Sequence, residues 1–108
     1  MLKPQQKIAL YMEGFMHSDY GKMGLGVVRY LQNPIVGIID SQNAGSNINQ
    51  EHPIDRDIPI FEKLDQVIDR GAEVLLLGIA PSGGKIPNSW LPLIEEALTR
   101  GLSMVLGF

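Results

Sequence analysis

Val74-Leu75-Leu76-Leu77-Gly78-Ile79 contains no polar side chain. A strand with one face in water alternates apolar and polar residues. One without alternation is buried on both faces, as in a parallel sheet covered by helices. Ile8-Ala9-Leu10-Tyr11-Met12, Pro34-Ile35-Val36-Gly37-Ile38-Ile39-Asp40 and Ser103-Met104-Val105-Leu106-Gly107 read the same way. Ile58-Pro59-Ile60-Phe61 is shorter and carries a proline, which predicts a short edge strand.

Helical patterns separate these strands. Met23, Val27, Tyr30 and Leu31 share one helix face, as do Leu64, Val67 and Ile68, and Gly71 sits where a helix C′ glycine belongs. A third helix is predicted from Asn88 or Ser89 to Gly101. Its apolar stripe is Trp90, Leu93, Ile94, Ala97 and Leu98, its wet face holds Glu95, Glu96 and Arg100, and Pro92 falls in the first turn. The order β-α-β-(β)-α-β-α-β predicts an α/β fold, a Rossmann-like three-layer sandwich with a mainly parallel sheet. The 108 residues make one domain. Residues 41–57 form a polar, aperiodic connection, long for so small a domain, and loops of that length are usually functional. The chain stops at Phe108, just past a core strand, which reads as the N-terminal domain of a longer protein.

Composition removes several classes of function. Nine Lys and Arg against twelve Asp and Glu give a net charge of −3, so no basic face for nucleic acid is expected. There is no cysteine, and the two histidines, His17 and His52, supply metal chemistry poorly. No apolar run approaches the roughly 20 residues of a membrane span. The first residues have charge but no apolar h-region behind it, so a soluble, cytoplasmic domain is expected.

Ligands of open parallel sheets bind beyond the carboxyl ends of the strands, where three loops lie. The first, from Glu13 to Gly26, offers Gly14, Gly21 and Lys22 to an anion near a helix N-terminus. It matches neither the Walker A nor the G-x-G-x-x-G pattern, and Gly24 and Gly26 read equally well as helix–sheet packing. The second opens with Asp40 and Ser41 and reaches Gly45. An acid at this place can hold a hydroxyl or amine, or simply organise the turn. The third holds Pro81, Gly83 and Gly84, whose small, stiff composition suits close approach to a ligand. His17 reads as a solvent-exposed loop histidine more readily than as an acid–base group, and Glu95 and Glu96 as a solvated face.

Three stretches resemble the N-terminal domain of the DUF1611 family. Lys22-Met23-Gly24-Leu25-Gly26-Val27-Val28-Arg29-Tyr30 is similar to K-T-A-x-G-x-x-R-Y, with Met23 and Gly24 in place of the family's T-A. Ile39-Asp40-Ser41-Gln42-Asn43-Ala44-Gly45 is similar to I-D-S-x-x-A-G, and residues 78–87 to G-I-A-P-x-G-G-x-L-P. The closing Gly101-Leu102 to Gly107 is similar to G-L-x-I-V-x-G. The resemblance implies a Rossmann-like domain partnered by a C-terminal P-loop domain that this chain would lack. It also implies a parent enzyme: some members resemble D-glutamate N-acetyltransferases, which would use acetyl-CoA, and others are described as NAD-dependent epimerases or dehydratases.

The leading expectation is a ligand-binding domain of a two-domain, acyltransferase-like enzyme, inactive in isolation. Its ligand would be a nucleotide, CoA or an amino-acid carboxylate, its partner the P-loop domain, and its assembly a homo-oligomer. The alternatives are a non-catalytic oligomerisation domain, anchored by an exposed Trp90 or Tyr30, and an NAD-binding domain.

Overall fold

A computed structural model of the chain describes residues 2–78 and 86–106. Five strands, β1 (Ile8–Tyr11), β2 (Ile35–Ile39), β3 (Ile60–Phe61), β4 (Val74–Leu77) and β5 (Ser103–Leu106), form one sheet in the order β3-β2-β1-β4-β5. Every pairing between them is parallel. The helices are α1 (Lys22–Tyr30), α2 (Ile48–Glu51), α3 (Leu64–Asp69) and α4 (Leu91–Thr99), with short 3-10 turns at Asp19–Gly21, Ser41–Asn43 and Asn88–Trp90.

The apolar runs behave as their lack of alternation requires. Along β1, Ile8 and Leu10 enter one core with Leu25 and Val28 of α1, while Ala9 and Tyr11 enter another with Val67 of α3 and Ile94 of α4. Two cores on opposite faces of one sheet make the three-layer α/β sandwich. Each large side chain so buried contributes about 1.5–3 kcal/mol of transfer free energy. Gly71 and Gly101 close α3 and α4 at φ +91° and +92°, the left-handed conformation of a C′ residue.

Two regions differ from expectation. β3 is only two residues long, because Ile58 and Pro59 pair with the returning chain as well as with β2. Ile38 N donates to the Pro59 carbonyl at 3.0 Å, while Ile48 N reaches Ile58 O at 2.9 Å and Ile60 N reaches Ser46 O at 3.0 Å. This antiparallel flap covers the sheet edge, one way of blocking further strand addition. Residues 41–57 are also ordered rather than irregular. Asn47 and Gln50 form a capping box at the start of α2, and Ile48 and Ile54 are buried in the α1-side core. The residues between them, Asn49 to Pro53, are polar or proline, so no apolar run or alternation marks them in the sequence.

Trp90 is likewise not a surface anchor: it is 1% exposed, whereas Tyr30 is 81% exposed. Among the described residues no helix is long and apolar enough to cross a membrane.

Candidate functional site

From β1 the chain moves outward to β2 and β3, then crosses back to place β4 on the other side of β1. The strand order therefore reverses between β1 and β4, the kind of position at which open α/β sheets bind ligands. The first turn of α1 is pinned at this point. Gly24 N donates to Gly78 O at 3.1 Å, and a Cβ on Gly24 would lie 2.6 Å from that same oxygen. Only two glycines face to face allow the helix so close to the end of β4. Gly26, by contrast, has open space where its Cβ would be, so the packing role read for it is absent.

The loops after β1 and β2 are tied together by two carboxylates. Asp40 has no exposed surface. Its Oδ1 accepts from Gly14 N at 3.2 Å and Gln42 N at 3.3 Å, and its Oδ2 from Asn43 Nδ2 at 2.6 Å. Gly14 takes φ +81° to direct its N–H this way, a conformation that disfavours any side chain. Glu13 answers from the other loop: its Oε1 accepts from Ser41 N at 2.8 Å and its Oε2 from Ser41 Oγ at 2.5 Å. Glu13 is half-buried, and among the described residues no cation pairs with it. Sequence reading passed over Glu13. The available signal was an acid directly after a core strand, the same signal that singled out Asp40.

The backbone of Glu13 is held from a third direction. Trp90 Nε1 donates to the Glu13 carbonyl at 3.1 Å. The indole packs against Tyr11 with ring centroids 4.3 Å apart and edge-on against Phe15 at 5.8 Å. Burial, and after it the charge of Glu13, pushes the Tyr11 phenol up to about 12.

The remaining candidates are spread along the same edge. Gly21 precedes α1, whose N-terminus carries no side-chain cap, and a Cβ there would collide with the Phe15 carbonyl. Lys22 is exposed and lies 3.6 Å from Asp19. Gly45 stands one strand further out. It donates to Ile60 O at 3.0 Å and lines an open hollow of about 430 Å³ with Phe61, Glu62 and Gln66. Gly14, Asp40 and Ser41 thus come together with Glu13, whereas Gly45 borders this separate hollow. Pro81, Gly83 and Gly84 lie outside the described residues.

The histidines form a clasp beside these loops. His17 and His52 stack at 4.8 Å, His17 Nε2 lies 3.1 Å from Glu51 Oε1, and His52 Nε2 lies 3.0 Å from the Met16 carbonyl. Ser46 Oγ donates to the second Glu51 oxygen at 2.6 Å. The Ser46 hydroxyl and then His17 hold the Glu51 carboxyl below its ordinary value. Among the described residues no group of His, Asp and Glu has the arrangement of a metal site.

Comparison with known proteins agrees with this architecture. The crystal structure of a DUF1611 family protein from Anabaena variabilis ATCC 29413 superposes with a TM-score of 0.86 at 33% identity, over 93% of this chain and 29% of that one. A D-glutamate N-acetyltransferase from a Pseudoalteromonas species is 46% identical over 37 residues, 34% of this chain and 11% of that protein. The chain therefore spans under a third of either relative's length. The family model DUF1611_N, a domain of unknown function described as Rossmann-like, matches residues 41–108, and the chain belongs to this family.

Proposed function

We propose that the chain is the ligand-binding domain of a larger, acyltransferase-like enzyme, with its ligand at the carboxyl edge between β1 and β4. The supporting observation is the convergence there of separate loops. The loop after β1 is fastened to the loop after β2 through Asp40 and Glu13, and Gly24 holds the α1 N-terminus against the end of β4. Such an edge presents backbone N–H groups and the positive end of a helix dipole to an anion, with Lys22 adding a full charge. The anion is a phosphate of CoA or a nucleotide, or the carboxylate of an amino acid. Because the Asp40 oxygens are filled by protein donors, Asp40 holds the loops in place rather than meeting the ligand itself. The partial similarity to a D-glutamate N-acetyltransferase favours acyl transfer as the parent chemistry, with a P-loop domain as partner and acetyl-CoA as donor.

Thermal-shift and calorimetric titration with acetyl-CoA, ATP, NAD and D-glutamate tests this reading. A ligand present at a hundred times its Kd stabilises the fold by about 2.7 kcal/mol. One of the four is expected to do so, and Lys22→Ala should weaken it. Silence from all four, in both the isolated chain and the natural full-length protein, would overturn the reading in favour of a non-catalytic assembly domain.

A further inference from the structure

We propose that the outer flank of α4 and the free edge of β5 form one docking face, covered by the remainder of the full-length protein. An extended segment of that remainder pairs with β5, and apolar side chains around it pack on Leu91, Leu98 and Met104. This inference rests on the reading of the chain as one domain of a larger protein, and it holds whatever ligand that protein takes.

The two edges of the sheet differ. The β3 edge is covered by the antiparallel flap, whereas among the described residues no strand pairs with the far side of β5. Ser103 N donates to Glu73 O at 3.1 Å, so the alternation of a strand turns the Met104 N–H and carbonyl to the open side. β5 also lacks the usual protections of an edge. Ser103-Met104-Val105-Leu106 contains no charge and no proline, and its register with β4 runs unbroken.

Three of the four large apolar side chains that are exposed among the described residues lie beside this edge: Leu91 at 42%, Leu98 at 51% and Met104 at 36%. Helix α4 turns Ile94 and Ala97 into the core, and Glu96 toward α3, where Arg100 pairs with both Asp65 and Glu96. At about 100° per residue, Leu91 and Leu98 fall on the opposite flank of the helix. Since α3 packs on β2 and β3 and α4 on β5, that flank faces the β5 edge. Met104 is paired with Leu75, a residue of the α3–α4 core, so its side chain stands on the same face of the sheet. Leu98 thus belongs to the apolar stripe of α4 but finds no cover. An apolar flank beside an unprotected strand edge has the character of a face that is covered in the native state.

The length of chain in the family indicates the occupant. In the DUF1611 crystal structure the superposed region is 29% of the chain, so more than two-thirds of that protein lies outside it. A covalently joined domain meets the face at a far higher effective concentration than a second copy in free solution.

The test is site-specific photo-crosslinking of the natural full-length protein. A photoreactive side chain is placed at Leu98, at Met104 or, to set the background, at the well-exposed Tyr30. A mixture of unlabelled and heavy-isotope-labelled protein separates cross-links within one chain from those between two. Positions 98 and 104 are expected to cross-link within one chain, to residues outside these 108. Cross-links that join two chains would overturn the occupant in favour of a second copy. Yields no higher than that of position 30 would overturn the docking face. A natural protein no longer than this stretch would overturn the reading of a larger protein and this inference with it. Silence from every ligand alongside intact cross-links would overturn the ligand site alone. If the photoreactive variants fail to fold, hydrogen exchange of the wild type decides: the Met104 amide is expected to be protected, and free exchange there would overturn the pairing.

Discussion

Asp40 and Glu13 follow neighbouring strands of one sheet, and their loops exchange hydrogen bonds, yet the two carboxylates live in different surroundings. Asp40 is fully buried and receives three donors, from Gly14, Gln42 and Asn43. Glu13 is half-buried and, among the described residues, receives donors only from Ser41. A buried carboxylate is stable only when its lone pairs are filled by fixed donors, and those donors then depend on it. A partly exposed carboxylate on a fixed backbone keeps capacity for something else. The end of β2 is therefore built to hold the loops, and the end of β1 to present a group.

The contrast can be broken most severely from beneath. Trp90→Ala removes the indole that packs on Tyr11 and Phe15 and donates to the Glu13 carbonyl, and buried Trp→Ala changes cost about 3–5 kcal/mol. Urea unfolding should register that loss. Asp40→Ala comes next: it strands the Gly14 and Gln42 amides and the Asn43 side chain, for a cost of roughly 3 kcal/mol by the same measurement. Glu13→Gln should stay within about 1 kcal/mol of the wild type, because the amide oxygen can still accept from Ser41 and the site is partly wet. If Glu13→Gln proved as destabilising as Asp40→Ala, the division of labour between the two acids would be wrong.

The smallest effect is a pH dependence. The Tyr11 phenol moves from its ordinary 10.0 to about 12 in the fold. Between those values the unfolded state binds fewer protons than the folded one, so stability falls as pH rises through this window. Below pH 10 the contribution is fully present. Tyr11→Phe should flatten this alkaline slope, and Glu13→Gln should reduce it, since the Glu13 charge is the lesser of the two causes.

Much of the fold was legible in the sequence, and the reason is periodicity. Uninterrupted apolar runs specify a two-sided core, and the stripes of α1 and α4 specify the helices that cover it. Gly71 and Gly101 marked helix ends because a left-handed C′ position is local chemistry. The flap over β3 was not legible: Ile48, Ile54 and Ile58 are buried through contacts distant in sequence, and the polar residues and proline between them leave no apolar run or alternation to read. The site was legible as loops but not as geometry. Asp40 and Ser41 stood out by position, while Glu13 gained meaning only when Ser41 and Trp90 were seen to reach it from 28 and 77 residues away.

Sequence alone determined the class of sheet, the positions of its strands and the family resemblance, because each depends on residues close together along the chain. Tertiary structure decided which glycine lets α1 touch β4, which carboxylate is sealed and which is presented, and that Trp90 is a buried brace. Those outcomes depend on the packing of side chains from different strands and helices. Close approach and burial are set where the chain meets itself, and no local pattern records that meeting.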